Sequence, residues 1–131
     1  MIVNVEWGGI YHYEPPTESD SPQAAVFVTS GSEQSGIRPW VVVSRDGANK
    51  GKPTAVGVPL SRKITKANSY RILIPKAELI SESSYEFADS VALCDHIRVL
   101  DLKMITKKLG RMSDTGVRAV GGGLLNLFDL R

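Results

Sequence analysis

Residues 31–44 read GSEQSGIRPWVVVS, and this segment carries the strongest structural signal in the chain. Its first part is polar and punctuated by glycines, a composition typical of a loop. From Pro39 to Ser44 it holds four large apolar residues in a row, three of them valine, and this pattern predicts a buried β-strand. A polar loop therefore leads directly into the core, and Arg38 lies at the junction.

Other short β-type segments lie on both sides of this strand. They are residues 9–13, 24–29, 54–60, 70–74, 89–94 and 97–100. Turn-forming residues separate several of them, for example at residues 46–49 and 51–53. Many short strands at close spacing predict a sandwich or a small barrel rather than a βαβ repeat.

One helix is predicted at the end of the chain. Ser113 or Asp114 can cap it, and apolar residues recur at helical spacing, namely Val117, Val120, Leu124 and Leu127. Residues 121–123 are all glycine, and each costs ~1 kcal/mol relative to alanine inside a helix. Either the helix breaks at residue 121, or the glycines let another backbone approach closely. We favour an unbroken helix packed on the barrel, with a further short helical turn at residues 101–104.

Size and composition predict a single domain covering residues 1–131. Of the 131 residues, 42% are hydrophobic and 23% are charged, which is ordinary for a soluble globular protein. Cys94 is the one cysteine, so an internal disulfide is excluded and a reducing compartment is favoured. No stretch resembles a secretory signal or reaches the ~18 apolar residues of a membrane helix. We expect a cytoplasmic protein with no membrane partner.

Charge is distributed in blocks although the net charge is only +2. Residues 1–36 carry five acidic side chains and no Lys or Arg, whereas residues 37–76 carry nine basic side chains against the single Asp46. Residues 77–101 return to −5, and residues 102–131 sum to +4. A block of forty residues at +8 is a candidate footprint for phosphate groups, although single lysines in it can simply solvate loops.

Three blocks in chain order resemble signature segments of the MazF/PemK toxin family. The first is residues 31–39, GSEQSGIRP, and the second is residues 58–61, VPLS. The third combines DSV at residues 89–91 with CDHIRVLD at residues 94–101. Residues 9–11, GIY, also resemble the first strand of the family, so the likeness covers residues 7–13 and 31–131.

This resemblance implies a mainly β (α+β) fold, an SH3-like or CcdB-like β-barrel with a C-terminal α-helix, usually as a homodimer. It also implies sequence-specific cleavage of single-stranded RNA, such as mRNA, by attack of the 2′-hydroxyl, with no metal and no cofactor. A cognate antitoxin with an acidic disordered tail would block the RNA groove. Residues 14–30, approximately, form an insertion in the loop between the first two family strands, which is shorter in most members.

The same resemblance suggests catalytic residues, which we weigh against the chemistry. Metal-free cleavage needs a proton acceptor for the 2′-hydroxyl, charge stabilisation at the phosphoryl oxygens and a proton donor for the leaving oxygen. Arg38 is the first choice for charge stabilisation, because its fork can meet two phosphate oxygens; the alternative is a surface ion pair with Glu33. Ser61 resembles the family's catalytic Thr/Ser, and without the family it is simply a strand end. Glu33 is either a base, an orienter of Arg38 or a loop-stabilising carboxylate.

Asp95 and His96 form a second titratable pair among the catalytic candidates. Asp95 matches an acid/base aspartate of PemK-type members, and His96 stands where glutamine is common. The unperturbed pKa of histidine, ~6.5, suits proton transfer, but a lone strand histidine is more often structural. Neighbours on a strand face opposite sides, so at most one of the two is expected in a given groove. Leu93 occupies the position of an arginine in some PemK-type members, which favours the centre around Arg38.

RNA contacts are expected mainly from the basic block. The candidates are Gln34, Arg62, Lys63, Lys66 and Arg71, with Lys50 and Lys52 as further phosphate ligands. Bases would stack on an aromatic residue such as Trp40 or Tyr70, although the valines around Trp40 favour a core position for it. No metal site is expected, since two histidines 84 positions apart and one cysteine form no ligand cluster.

Two other classes of protein remain open. One is a gyrase poison on the same barrel, which binds a protein and cuts nothing. The other is a degenerate family member that kept the barrel and acts only as an RNA-binding module. The segment at residues 33–39 weighs against the gyrase poison.

Overall fold

The computed structural model describes residues 4–14 and 38–130. Within these ranges the chain forms eight strands and two α-helices. The strands are β1 (Gly9–Tyr13), β2 (Pro39–Val42), β3 (Thr54–Ser61), β4 (Arg71–Ile74), β5 (Leu79–Ser81), β6 (Ser90–Leu93), β7 (Arg98–Asp101) and β8 (Ile105–Met112). The helices are α1 (Asp46–Asn49) and α2 (Asp114–Leu127), and four short 3₁₀ turns are Ile64–Lys66, Lys76–Glu78, Cys94–His96 and Leu102–Met104.

All the strand pairs are antiparallel, in the order β4-β6-β3-β2-β1-β8-β5. The long strand β3 has two further partners in succession. Its first half, from Thr54 to Gly57, pairs with β7, and its end, Leu60 and Ser61, pairs with β6. The fold is therefore mainly β and barrel-like with a C-terminal helix, as predicted, and β3 pairs with three other strands.

Two groups of buried side chains form the core. The larger group joins the sheet to α2 and includes Val41, Val58 and Val120. The smaller group surrounds Trp40, whose ring is fully buried and lies 5.6 Å from that of Tyr13 in an edge-to-face arrangement. The core position favoured for Trp40 is confirmed, and a ring buried to this degree cannot stack on an RNA base.

Helix α2 begins as predicted and continues through all three glycines. Ser113 caps it, because its Oγ accepts a hydrogen bond of 3.1 Å from the Gly116 N–H. A Cβ added at Gly123 would lie 2.6 Å from Ile72 Cγ1 and 2.9 Å from Cys94 Sγ. Close approach is therefore the reason for one glycine, but the neighbours are side chains rather than the backbone we expected. Neither helix in the described part of the chain has the length and apolar character to span a membrane.

The glycines at positions 121 and 123 should respond oppositely to alanine. A Cβ at Gly121 meets nothing within 4 Å, so Gly121→Ala should raise the free energy of unfolding by about 0.5–1 kcal/mol through helix propensity. Gly123→Ala should lower it by about 1–3 kcal/mol, because Ile72 and Cys94 must move. Urea unfolding of both variants measures this difference. Equal stability of the two would show that α2 is not seated as described.

Several boundaries differ from the sequence prediction. The strand predicted to run to Ser44 ends at Val42, since Ser44 turns to pair with Asn49: its Oγ donates to Asn49 Oδ1, and Asn49 Nδ2 donates to Ser44 O. Strands β5 and β8 were not predicted. The helical turn expected near residue 102 is confirmed as Leu102–Met104. The segment at 24–29, and the proposed insertion beyond Glu14, lie outside the described residues.

Candidate active site

The pairing of β2 with β3 brings Arg38 and Ser61 together. The register pairs Trp40 with Pro59, Val41 with Val58 and Val42 with Gly57. If this register is extended by two residues before Trp40 and two residues after Pro59, Arg38 lies opposite Ser61. The buried valine strand that follows Arg38 therefore fixes this residue at the end of the sheet, beside the last residue of β3.

Both residues line a cavity of about 180 Å³ at this end of the sheet, which we call the inner cavity. Its lining combines three cations, two serines and two aromatic rings. They are Arg38, Arg62, Lys63, Ser61, Ser90, Tyr85 and Phe87, together with Pro39, Leu60 and Ala88. Within the described part of the chain, no carboxylate and no imidazole lines it. The inner cavity is thus a positively charged pocket that carries hydroxyl groups, a combination suited to an anion.

Arg38 is buried rather than at the surface, and Glu33, its possible ion-pair partner, lies outside the described residues. Only 5% of Arg38 is exposed, although an arginine stays protonated in proteins. Few waters screen a charge in such a position, so its effect on a bound phosphate is larger than at the surface. Its planar fork of N–H donors suits two phosphoryl oxygens at once.

Two buried serines line the inner cavity, and their hydroxyls have different partners. Ser61 Oγ accepts a hydrogen bond of 3.2 Å from the Lys63 N–H, and it donates to no protein acceptor among the described residues. Ser90 Oγ donates to the Ala88 carbonyl oxygen at 2.7 Å. The Ser61 hydroxyl can therefore donate to a bound group, whereas Ser90 holds the backbone. Ser90 was not singled out from the sequence.

The two basic residues after Ser61 both line the inner cavity. Arg62 Nη2 donates to the Glu86 carbonyl oxygen at 2.6 Å and to Tyr85 Oη at 3.3 Å. Its guanidinium carbon lies 5.5 Å from the centre of the Tyr85 ring. Arg62 is thus engaged with the neighbouring loop, a contact that the sequence did not predict.

Asp95 and His96 belong to a second cluster, which does not line the inner cavity. Arg71 donates to both carboxylate oxygens of Asp95, and the distance from Nη2 to Oδ2 is 2.6 Å. His96 Nε2 lies 3.9 Å from Asp95 Oδ2. The expectation that residues 95 and 96 lie on a strand is wrong: Cys94–His96 is a 3₁₀ turn, so strand alternation does not separate them. Among the predicted catalytic residues, the structure therefore separates Arg38 and Ser61 from Asp95 and His96.

The ion pair changes what Asp95 can do. Partial burial would raise its pKa, but the hydrogen bonds and the charge of Arg71 outweigh it and lower the pKa of the carboxyl. Asp95 therefore stays ionised at neutral pH and is unsuited to donate a proton. The neighbouring thiol is inert for a different reason, since burial raises the pKa of Cys94 to about 11.

The remaining predicted site residues are either outside the described residues or away from the inner cavity. Glu33 and Gln34 lie outside the described residues. Lys66 ends the turn Ile64–Lys66, and Tyr70 directly precedes β4; neither lines the inner cavity. Among residues 4–14 and 38–130, no group of three His, Cys, Asp or Glu side chains is arranged to hold a metal ion.

Fold and site together define a small barrel-like protein with a cationic, hydroxyl-bearing pocket beside β3. The family model of "PemK-like, MazF-like toxin of type II toxin-antitoxin system" matches residues 24–128. Endoribonuclease MazF from Staphylococcus saprophyticus is 37% identical over 95 residues, which are 72% of this chain and 75% of that protein. The chain therefore belongs to the PemK-like, MazF-like toxins.

Solved structures share the fold at low sequence identity. Mycobacterium tuberculosis toxin MazF-mt6 superposes with a TM-score of 0.65 at 12% identity, covering 94% of this chain and 98% of that one. An endoribonuclease from Mycobacterial species, in complex with its cognate antitoxin, gives a TM-score of 0.58 at 16% identity. That match covers 99% of this chain and 98% of the other. At these identities the likeness shows the fold alone.

Proposed function

We propose that this protein is a toxin that cleaves single-stranded RNA, such as mRNA, at specific sequences and without a metal. The observation that carries the proposal is the placement of buried Arg38 and Ser61 on one cavity at the end of the β2–β3 pair. Membership in the toxin family and the likeness to an endoribonuclease MazF support the RNA substrate. Cys94, a buried free thiol, fits action in a reducing compartment such as the cytoplasm.

The reaction requires both the side chains of the inner cavity and a general base. The 2′-oxygen of the RNA attacks the adjacent phosphorus, and the bond from phosphorus to the 5′-oxygen breaks. A cyclic phosphate and a 5′-hydroxyl result, with one proton leaving the 2′-hydroxyl and one reaching the 5′-oxygen. Arg38 stabilises the charge on the phosphoryl oxygens, and the Ser61 hydroxyl donates a hydrogen bond to one of them. Glu33, five residues before Arg38, remains our candidate base for the 2′-hydroxyl.

Phosphates beyond the reacting one would meet the basic residues around the inner cavity. Lys63 lines it directly, and Lys66 lies one short turn further along the chain. Arg71 is paired with Asp95. We therefore assign it to holding β4 against the 3₁₀ turn Cys94–His96 rather than to direct contact with RNA phosphates. Gln34 precedes Arg38 in the loop and remains a candidate for RNA contact.

We also propose two protein partners. A cognate antitoxin with an acidic disordered tail would compete with RNA for the cationic pocket, as charge complementarity favours. A second copy of the chain would form a homodimer. Exposed apolar side chains at the end of α2 favour this, because Leu125 is 42% and Phe128 is 55% exposed. Light scattering should give twice the chain mass at micromolar concentration, and a stable monomer would contradict the homodimer.

Incubation of the purified protein with a long unstructured RNA, with and without EDTA, tests the activity. We expect cleavage at a small set of sequences in both conditions. A gyrase poison would leave the RNA intact and inhibit gyrase, whereas a degenerate binding module would retain RNA without cutting it. Cleavage that EDTA abolishes would contradict the metal-free mechanism.

A further inference from the structure

The inner cavity shares a wall with a second, larger hollow. Tyr85 and Phe87 line both, and their rings lie 5.1 Å apart in an edge-to-face arrangement; we call this pair the aromatic wall. The second space, which we call the outer hollow, has a volume of about 650 Å³ and is also lined by Lys76, Ser84 and Glu86. A group held at Arg38 and Ser61 therefore has an aromatic-walled space immediately beside it.

The loop at residues 82–89, which carries the aromatic wall, is held in place by hydrogen bonds of Ser81 and Ser83. Ser81 Oγ lies 2.9 Å from the Ser83 carbonyl oxygen and 2.8 Å from the Tyr85 carbonyl oxygen, and its one proton is shared between these two acceptors. Ser83 Oγ donates to the Leu109 carbonyl oxygen at 2.8 Å and accepts the Tyr85 N–H at 3.1 Å. An exposed loop without such bonds is usually mobile. This one is preorganised, so a ligand that binds there need not order it.

Two further contacts fix the rings. The Phe87 ring packs on Gly110 of β8, where an added Cβ would lie 2.9 Å from Phe87 Cε2. On the other side, Arg62 holds Tyr85 through its hydroxyl and the loop through the Glu86 carbonyl oxygen. Arg62 follows Ser61 directly in the chain, and it thus fixes the Tyr85 ring beside the inner cavity.

We propose that the aromatic wall is a base-recognition site, where a nucleobase next to the cleaved phosphate lies in the outer hollow against Tyr85. Arg62 is a positioning residue that holds the ring there. This inference rests on the proposed RNA cleavage. It replaces Tyr70 and Trp40 as the stacking residues, since Trp40 is fully buried and Tyr70 lines neither space.

The chemistry of the outer hollow suits a base better than another phosphate. Aromatic side chains and guanidinium planes are the usual surfaces for unstacked bases. Glu86 and Ser84 are exposed on the lining, and a carboxylate only accepts hydrogen bonds, so it selects N–H donors on a base edge. The same carboxylate would repel a phosphate. Among the described residues, Lys76 is the one cation on the lining of the outer hollow.

The test is a binding cycle on an RNA oligomer that spans a mapped cleavage site. The 2′-hydroxyl at the cut is replaced by hydrogen, so that only affinity is measured, and each flanking base is removed in turn. For wild type, loss of one particular base should weaken binding by about tenfold. Tyr85→Ala should lose about as much on the intact oligomer and nothing further when that base is absent. Tyr85→Phe keeps the ring and should bind like wild type.

Arg62→Ala should weaken binding of the intact oligomer but not of the oligomer that lacks this base. In the Tyr85→Ala background it should cause little further loss of affinity. Lys103→Ala is the matched charge control, because Lys103 is exposed, lies on neither lining and should show no such base dependence. Additive losses for Tyr85→Ala and every missing base, or a base dependence that follows Tyr70→Ala instead, would overturn the inference while RNA cleavage stands. Failure of wild type to cut any RNA would overturn both.

Discussion

Arg38→Ala is expected to lower kcat for RNA cleavage by about 10²–10³-fold while RNA affinity stays largely intact. Arg38 is 5% exposed and lines the inner cavity, so its charge acts where solvent screening is weak. A donor aimed at charge that grows only in the transition state typically contributes ~3–4 kcal/mol to the rate and little to substrate binding. Single-turnover cleavage together with equilibrium RNA binding separates the two quantities.

Arg38→Lys is the matched variant for this experiment. It keeps the positive charge but loses the two-pronged donor, so it should not restore the rate. Unfolding curves of both variants check that the loss is not one of stability. In a growing host, wild type should arrest growth and Arg38→Ala should not. A fully toxic Arg38→Ala alongside an inert Asp95→Ala or His96→Ala would move the active centre to the Arg71–Asp95 cluster.

Ser61→Ala should cause the second large loss, a fall in kcat of about 10²-fold. Its hydroxyl is buried and can donate to a bound group, because among the described residues its oxygen accepts the Lys63 N–H and its proton has no protein acceptor. Ser61→Thr keeps the hydroxyl on a residue that suits a strand end, and it should retain most of the activity. The same single-turnover assay measures both variants.

Ser90→Ala provides the matched control for the hydroxyl. Ser90 lines the same cavity and is equally buried at 4% exposure, but its Oγ donates to the Ala88 carbonyl oxygen. Its removal should therefore reduce the rate far less than removal of the Ser61 hydroxyl. Equal losses for the two serines would show that packing of the cavity, rather than donation by Ser61, controls the rate.

The strands with strong local signals could be predicted from the sequence, and those without could not. The valines before Ser44 and the apolar run that ends at Ser61 mark β2 and β3, which are buried along most of their length. Strand β8 has exposed Thr106 and Lys107 near its start and Gly110 within it, so its composition reads as a loop. Its pairing with β1 and β5 supplies the strand conformation, and this is a long-range effect.

The candidate site divides in the same way. Arg38 and Ser61 were predicted because they flank strongly marked strands and resemble family positions. Tyr85 was missed because the serines and the glutamate beside it are typical of a solvated loop, and nothing local indicates that this loop contributes to the inner cavity. Arg62 was expected to bind phosphate, and its contact with Tyr85 and the Glu86 carbonyl follows from tertiary structure alone. The pairing of Arg71 with Asp95 across β4 and the 3₁₀ turn is likewise a tertiary effect.

In the proposed mechanism the protein cuts RNA with the RNA's own 2′-hydroxyl as nucleophile, without a metal. The most direct measurement uses two oligomers that differ only at the cut, where one has a 2′-hydroxyl and the other a 2′-hydrogen, both in EDTA. We expect the first oligomer to be cleaved to a cyclic phosphate and a 5′-hydroxyl, and the second to stay intact. Cleavage of the 2′-deoxy oligomer, or a first oligomer left whole until a metal is added, would contradict this mechanism.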